Sequence, residues 1–389
     1  MKKILLVIII ISIILSFTSF CYADELEDNI NENLNDLDLS ELEDYYSYIS
    51  EMYNNSSIKE VIKEIIYGEF NGDYKDFLNI VLNYLKNELY LIIPSILSLI
   101  SIAIIYSMLD NFSSSKNNGI TKIIYYVCYI SSSLIIFVWI KNVVDETALN
   151  IQNIQKFVNI IFPILLTILS ALGGISLTNV FGPRLSILTT FIINIINNVI
   201  MPLFILIIII NFVSNLSSEI KLDKMQKLIK SVTTIILTGM FSLYITFLSI
   251  QGLTSSIVDT VSIKTAKFAL STYIPVLGGY LSDGFDLILA SLVLIKNSIG
   301  VVGVFILLFM ILSPVIKIII ISLSLKFVAA VTEPLSNNRM PKMMYDLSKE
   351  LMILLGVLIG IFFMSLFTIM LIIFACNLGA IWKAIFIQF

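Results

Sequence analysis

From Leu89 almost to the C-terminus the chain alternates long apolar runs with short polar ones. About 20 apolar residues in a helix span a hydrocarbon core, so runs of this length predict membrane-spanning helices. The runs are Leu89–Leu109, Ile120–Ile140, Phe157–Thr178, Leu185–Ser214, Ser231–Leu253, a Pro- and Gly-broken region near Thr272–Leu294, Asn297–Lys326 and Leu351–Cys376. Between them Asp110–Gly119, Lys141–Lys156, Asn215–Lys230, Thr254–Ser271 and Phe327–Glu350 read as connections, none large enough to be a domain. In lipid every backbone polar group must be satisfied within its own segment. The expected fold is therefore all-α, a polytopic integral membrane protein with about seven or eight transmembrane helices.

The N-terminus has the pattern of an export signal. Lys2 and Lys3 precede an apolar core, Ile4–Leu15, and Cys21-Tyr22-Ala23 supplies a small-residue cleavage site that releases Asp24. An uncleaved anchor helix is the alternative, and bulky Phe20 before Cys21 argues against a lipoprotein site. Residues 24–88 are then an acidic exported helical segment, with eleven Asp/Glu and no Lys or Arg from Asp24 to Glu51. Ser40 with Glu43 and Ser57 with Glu60 form capping boxes, and Asp73 caps a third helix. Leu42, Tyr45, Tyr46 and Ile49 make one apolar stripe; Ile58, Val61, Ile62, Ile65 and Ile66 make a second, ended by Gly68. These stripes dock on the membrane domain or on a partner, or the segment is a solvated spacer.

The rest divides into a first transmembrane hairpin (89–156), a membrane repeat (157–253), and a connecting loop with a second repeat (254–389). The repeat is one of punctuation. Pro163, Gly173, Gly174, Gly182, Pro202 and Gly239 are followed in the same order by Pro275, Gly278, Gly279, Gly284, Pro314 and Gly356. Three crossings per copy make the repeats inverted, with helices kinked at Pro202 and Pro314, the arrangement in which broken helices meet near the midplane of transporters. Gly173, Gly174, Gly278 and Gly279 are candidate hinges, since glycine tolerates positive φ and close backbone approach. With eight crossings and the N-terminus outside, and leaving the exported segment out, nine Lys/Arg fall inside and eight outside, so the positive-inside rule does not orient the chain. Lys221, Lys224, Lys227 and Lys230 are the chief offenders.

Composition mainly excludes. Hydrophobic residues are 58% of the chain, and mean hydropathy is +0.95. With no histidine and cysteines only at 21, 128 and 376, zinc, haem, a Cys/His nucleophile and a disulfide framework are out of reach. Basic residues are scattered and the net charge is −4, which gives no support to nucleic-acid binding. Polar groups inside spans are the pointers to function. Lys317, one turn past Pro314, leads; Lys296, Asn297 and Gln251 follow, and Asn194, Asn197 and Asn198 share one helix face that suits interhelical contacts. Lys317 either faces a hydrated interior or pairs and snorkels at a helix interface. Neither a catalytic constellation nor a Walker motif is present, so the expectation is a protein that is not an enzyme and has no cofactor.

The stretch from Gln251 to Gly303 carries a resemblance. Ile250-Gln251-Gly252, Val258-Asp259 to Thr265-Ala266-Lys267, Ile274-Pro275-Val276-Leu277-Gly278, Ser282-Asp283 and Leu294-Ile295-Lys296-Asn297 leading to Gly300 and Gly303 resemble the stage III sporulation protein AE family of endospore-forming Firmicutes. Leu37-Asp38-Leu39, Ile161-Phe162-Pro163 with Gly173-Gly174, and the Pro202 and Pro314 helices extend it over nearly the whole chain. Thr260 after Asp259 departs from the glycine many members carry. The resemblance implies a membrane platform or permease-like subunit of a channel or feeding apparatus, in the mother-cell membrane around the forespore and required for late forespore development. It implies ring-forming stage III partners, a separate ATPase, and an N-terminal segment on the exported side. A self-sufficient secondary transporter of a small solute is the alternative. Cleavage at the leader predicts a mature N-terminus at Asp24 on N-terminal sequencing; an intact Met1 would overturn it.

Overall fold

A computed structural model describes residues 24–50, 57–69, 74–112, 118–174, 178–179, 182–216, 222–273, 278–335 and 339–374, and for 251–286 the backbone alone. The leader, Asp73, Pro275 and the C-terminal Cys376 lie outside the described residues. The regular elements are helices: α1 (Asp24–Asp36), α2 (Ser40–Glu43), a 3-10 turn (Tyr46–Tyr48), α3 (Ile58–Tyr67), α4 (Tyr74–Phe112) and α5 (Asn118–Ala171). Then come α6 (Gly182–Ile195), a π-helical turn (Ile196–Ile200), α7 (Met201–Leu216), α8 (Asp223–Tyr273), α9 (Gly278–Thr332) and α10 (Arg339–Phe374). Six segments are long and apolar enough to cross a membrane, residues 75–109, 122–171, 182–216, 223–250, 287–332 and 339–374.

Among the described residues these candidates are fewer than the eight runs read above, because α5 joins two of those runs and α9 takes in most of the broken one. The stretch Lys141–Lys156, read above as a connection, is helical and joins two predicted spans into one helix of 54 residues. Val143, Thr147, Ile151 and Ile154, at helical spacing, are almost wholly buried, while Lys141, Asp145, Gln152 and Lys156 face outward. One apolar face suffices to keep a charged stretch helical. The stretch Thr254–Ser271, also expected as a loop, continues α8, with no proline between Leu253 and Tyr273 to stop it. At 1.5 Å per residue α5 and α9 run for about 80 Å, more than twice a hydrocarbon core.

Helix α9 is the axis of the molecule, touching α1, α3, α4, α5, α8 and α10. Ile161 and Ile369 lie against Gly303, and Ile373 against Gly300. Asn150 meets Met310, and Ser322 bonds the Ser348 carbonyl. Numbers fall along α5 and α10 as they rise along α9, so both are antiparallel to it. In α4 they rise together, Phe77 stacking edge-on to Phe309 at 5.9 Å. Helices α6 and α7 start near Phe162 and Leu166 and end where Tyr125 and Tyr129 donate to the Asn215 and Phe212 carbonyls, so they too oppose α5. The Pro202 and Pro314 helices therefore run the same way. This corrects the expected inversion: a single crossing, α8, separates them, because the stretch read as a loop plus a broken span adds none of its own.

The acidic segment is docked rather than a free spacer. Leu26, Ile30 and Leu34, spaced by four, are buried from α1, and Ile58, Val61 and Ile62 from α3, all in the cluster that holds the core of α9. Asn33 Nδ2 donates to Ser291 Oγ at 3.0 Å, and the Tyr45 ring lies 5.1 Å from that of Phe157. Ser57 caps α3 as expected, accepting from Glu60 N–H, and Gly68 ends it at φ 70°. Ser40 does not cap α2: its hydroxyl and N–H both donate to Asp38, which holds that carboxyl below its ordinary range. Glu43 turns instead to the next helix and accepts from Ile58 N–H at 3.0 Å, a carboxylate on a helix N-terminus.

Glycine packing gives a direct test. A Cβ at Gly360 would run into the Phe241 ring between α8 and α10, whereas one at Gly356 meets nothing within 4 Å. Gly360→Val should cost about 1–3 kcal/mol and lower the thermal midpoint in detergent, and Gly356→Ala should leave it unchanged. Equal midpoints for the two variants would count against this packing.

Candidate functional site

Proline lacks an N–H, so inside a helix it leaves the carbonyl four residues back without its donor. Pro314 sits inside α9, and the carbonyl it strands is that of Met310. With no water at hand in lipid, such a group needs a partner from a neighbouring helix. Asn150 of α5 provides it, Nδ2 donating to Met310 O at 2.7 Å. One turn away on the same face of α5, Glu146 forms an ion pair with Lys317, itself one turn beyond Pro314. Glu88 of α4 lies within electrostatic reach of both Lys317 and Glu146. Among the described residues, three helices thus bring two carboxylates and one ammonium to the Pro314 turn of α9.

The Lys317 and Glu146 side chains are 24% and 33% exposed. Breaking a fully buried pair costs about 3–5 kcal/mol and an exposed one about 0–1, so this pair falls between. Chemically the arrangement is a charged latch across a weakened point of the central helix. It is short of groups for covalent chemistry. Among the described residues no cluster of three His, Cys, Asp or Glu is placed to hold a metal.

Of the residues singled out from sequence, Pro314 and Lys317 meet here. Lys296 is completely buried and Asn297 half-buried, 21 residues or about 31 Å back along α9, beneath the docked acidic helices. Gln251 falls within α8, its side chain outside the described residues. Gly173 ends α5 at φ 83°, its N–H on Ser170 O and that of Gly174 on Leu169 O, a Schellman cap. Gly278 and Gly279 open α9. Pro202 follows a π turn in which Met201 N–H reaches back five residues to Ile196 O. The wider turn absorbs the proline, as π-bulges do. Asn194 and Asn198 are exposed on the outer face of α6 and the π turn.

Glu88, Glu146 and Asn150 were missed in the sequence because they lay in stretches assigned to the exported segment and to a connection. The buried face Val143–Thr147–Ile151–Ile154 was the signal that could have placed Glu146 and Asn150 inside the bundle.

Long apolar helices packed around one another, with an ion pair at a proline break and a docked polar segment, define a polytopic helical membrane protein. The family described as stage III sporulation protein AE matches residues 56–376, and the chain belongs to that family. It is similar to the stage III sporulation protein AE of Bacillus subtilis (strain 168), 24% identical over 330 residues that cover 84% of this chain and 82% of the relative. No solved structure matches.

Lys317→Met and Glu146→Gln should each lower the thermal midpoint in detergent by an amount equivalent to about 1–3 kcal/mol. The double variant should lose less than the sum of the two, because the second change removes a charge already left alone. Strict additivity would show that the two side chains do not interact.

Proposed function

We propose that this chain is the membrane platform or permease-like subunit of an apparatus linking mother cell and forespore, resident in the mother-cell membrane with its acidic segment on the exported side. Family membership supports a role in sporulation. The single observation that carries the finer reading is the docking of α1 and α3 on α9, the same helix that carries Pro314 and its ion pair with α5. A ring-forming stage III partner that engages the exported helices would act directly on α9. A separate ATPase would have to supply energy from outside the chain, which contains no Walker motif. A self-sufficient secondary transporter is the second reading, favoured by the charged latch at a helix break within the bundle.

The separating experiment is affinity purification of the full chain from sporulating cells with mass spectrometry. Discrete stage III partners are expected, together with loss of forespore development in Lys317→Met at normal protein abundance. Solute movement by the purified chain in liposomes, with no co-purifying partner, would favour the lone transporter and overturn the platform.

A further inference from the structure

With six crossings, the links between α4 and α5, α7 and α8, and α9 and α10 all fall at one end of the bundle. Contacts among the flanking helices hold that end together: Tyr106 on Tyr125, Tyr125 on Asn215, and Lys342 on Asp223 at 3.6 Å. These links with the first three turns of the helices that follow carry nine Lys/Arg, including the once anomalous Lys221, Lys224, Lys227 and Lys230. At the opposite end 182–192 and 251–286 carry Arg184, Lys264 and Lys267, and α3 with the first turns of α4 adds Lys59, Lys63 and Lys75. That opposite end also bears α1, with Asp24, Glu25, Glu27, Asp28, Glu32 and Asp36 and no basic residue. Nine basic residues stand against six, and the Lys221–Lys230 stretch now falls on the richer side, which favours that end as the cytoplasmic one.

The basic end has the surface of a helix end lying at lipid headgroups. Along α8, Lys224, Met225, Lys227 and Leu228 are all exposed while Gln226 and Ile229 turn inward. On α10, Lys342, Tyr345 and Lys349 share one exposed face, and the Lys349 ammonium stands 4.0 Å over the Tyr345 ring. Cations beside outward-facing Met, Leu and Tyr suit a boundary where the apolar part enters acyl chains and the ammonium meets phosphate. Asp223, Asp346 and Glu350 are the described acidic groups beside the patch; Glu350 pairs with Lys230 at 3.0 Å and Asp223 lies 3.6 Å from Lys342, which leaves Lys224, Lys227 and Lys349 in excess.

We propose that this end of the bundle is cytoplasmic and that its patch between α8 and α10, built on Lys224, Lys227, Lys342 and Lys349, seats the headgroup of an anionic phospholipid. The inference rests on the six-crossing bundle and is independent of the role in sporulation.

Two measurements on the full chain test it. In cells expressing the chain with Cys21, Cys128 and Cys376 replaced, a membrane-impermeant maleimide added outside should label Lys63→Cys and spare Lys227→Cys until the membrane is opened. Labelling of Lys227→Cys from outside would overturn the orientation. In detergent, phosphatidylglycerol should raise the thermal midpoint of the parent chain and phosphatidylcholine should not. The combined Lys224→Gln, Lys227→Gln, Lys342→Gln, Lys349→Gln variant should need about tenfold more phosphatidylglycerol or more for the same rise, given roughly 1 kcal/mol per basic residue near an anionic surface. Should that variant fail to fold, the parent's preference for phosphatidylglycerol must still vanish at high salt. Equal response to both lipids, an unaltered response in the variant or at high salt, or the same rise with inorganic phosphate would each overturn the lipid site.

Discussion

A carbonyl without a donor is the constraint around which the centre of this molecule is arranged. Pro314 strands the Met310 carbonyl in the longest helix of the bundle, in surroundings that offer little water. Leaving such a group unpaired costs several kcal/mol. Asn150 relieves it only if α5 runs unbroken past α9 at that height, which explains why a stretch with Lys141, Asp145, Glu146 and Lys156 is folded as helix against the core. Glu146 then falls opposite Lys317 because it lies one turn from Asn150 on α5, as Lys317 lies one turn from Pro314 on α9. The two contacts reinforce each other. One corrects a backbone defect and the other ties down the segment beyond it.

The helical class, the apolar runs and the positions of Pro314 and Lys317 on one helix were legible because each is a local signal: run length, composition, a single charge in an apolar run. The partners were not, because they belong to a segment whose two faces disagree. Averaged over its length, Lys141–Lys156 is polar and resembles a loop; sampled at every third or fourth residue it is apolar and resembles a core helix. Counting it as a loop added a crossing and reversed the segments that follow as far as α8. The inverted repeat came from the second such stretch, Thr254–Ser271 with the broken region after it, read as a loop and a span but belonging to α8 and α9. The acidic segment shows the same blindness to faces: Leu26, Ile30 and Leu34 were hidden among six carboxylates, yet they bury one side of α1.

The two proline helices meet the same chemical problem with different devices. At Pro202 the backbone itself yields, opening just before the proline to a π turn in which Met201 N–H reaches Ile196 O. At Pro314 the helix stays α and the donor comes from a neighbour. The difference follows from position. Helices α6 and α7 lie at the rim, with Ile187, Phe191 and Ile205 exposed, whereas α9 is enclosed by six other helices whose side chains are within reach. A rim helix can widen without disturbing packing. A central one with Gly300 and Gly303 already pressed by Ile373 and Ile161 cannot.

That enclosure ties the docked acidic helices to the latch. Helices α1 and α3 pack on the first part of α9, near Ser291 and the fully buried Lys296, and the latch lies about 31 Å further along the same continuous helix. A rigid helix transmits tilt or rotation over that distance with little loss, whereas a chain interrupted by loops would not. A force on the docked helices therefore reaches Pro314, where the backbone is one hydrogen bond short and held by a side chain and an ion pair from α5. Glu88 of α4 brings a second carboxylate into electrostatic reach of the same turn, so the charge around Lys317 is set by two neighbouring helices at once.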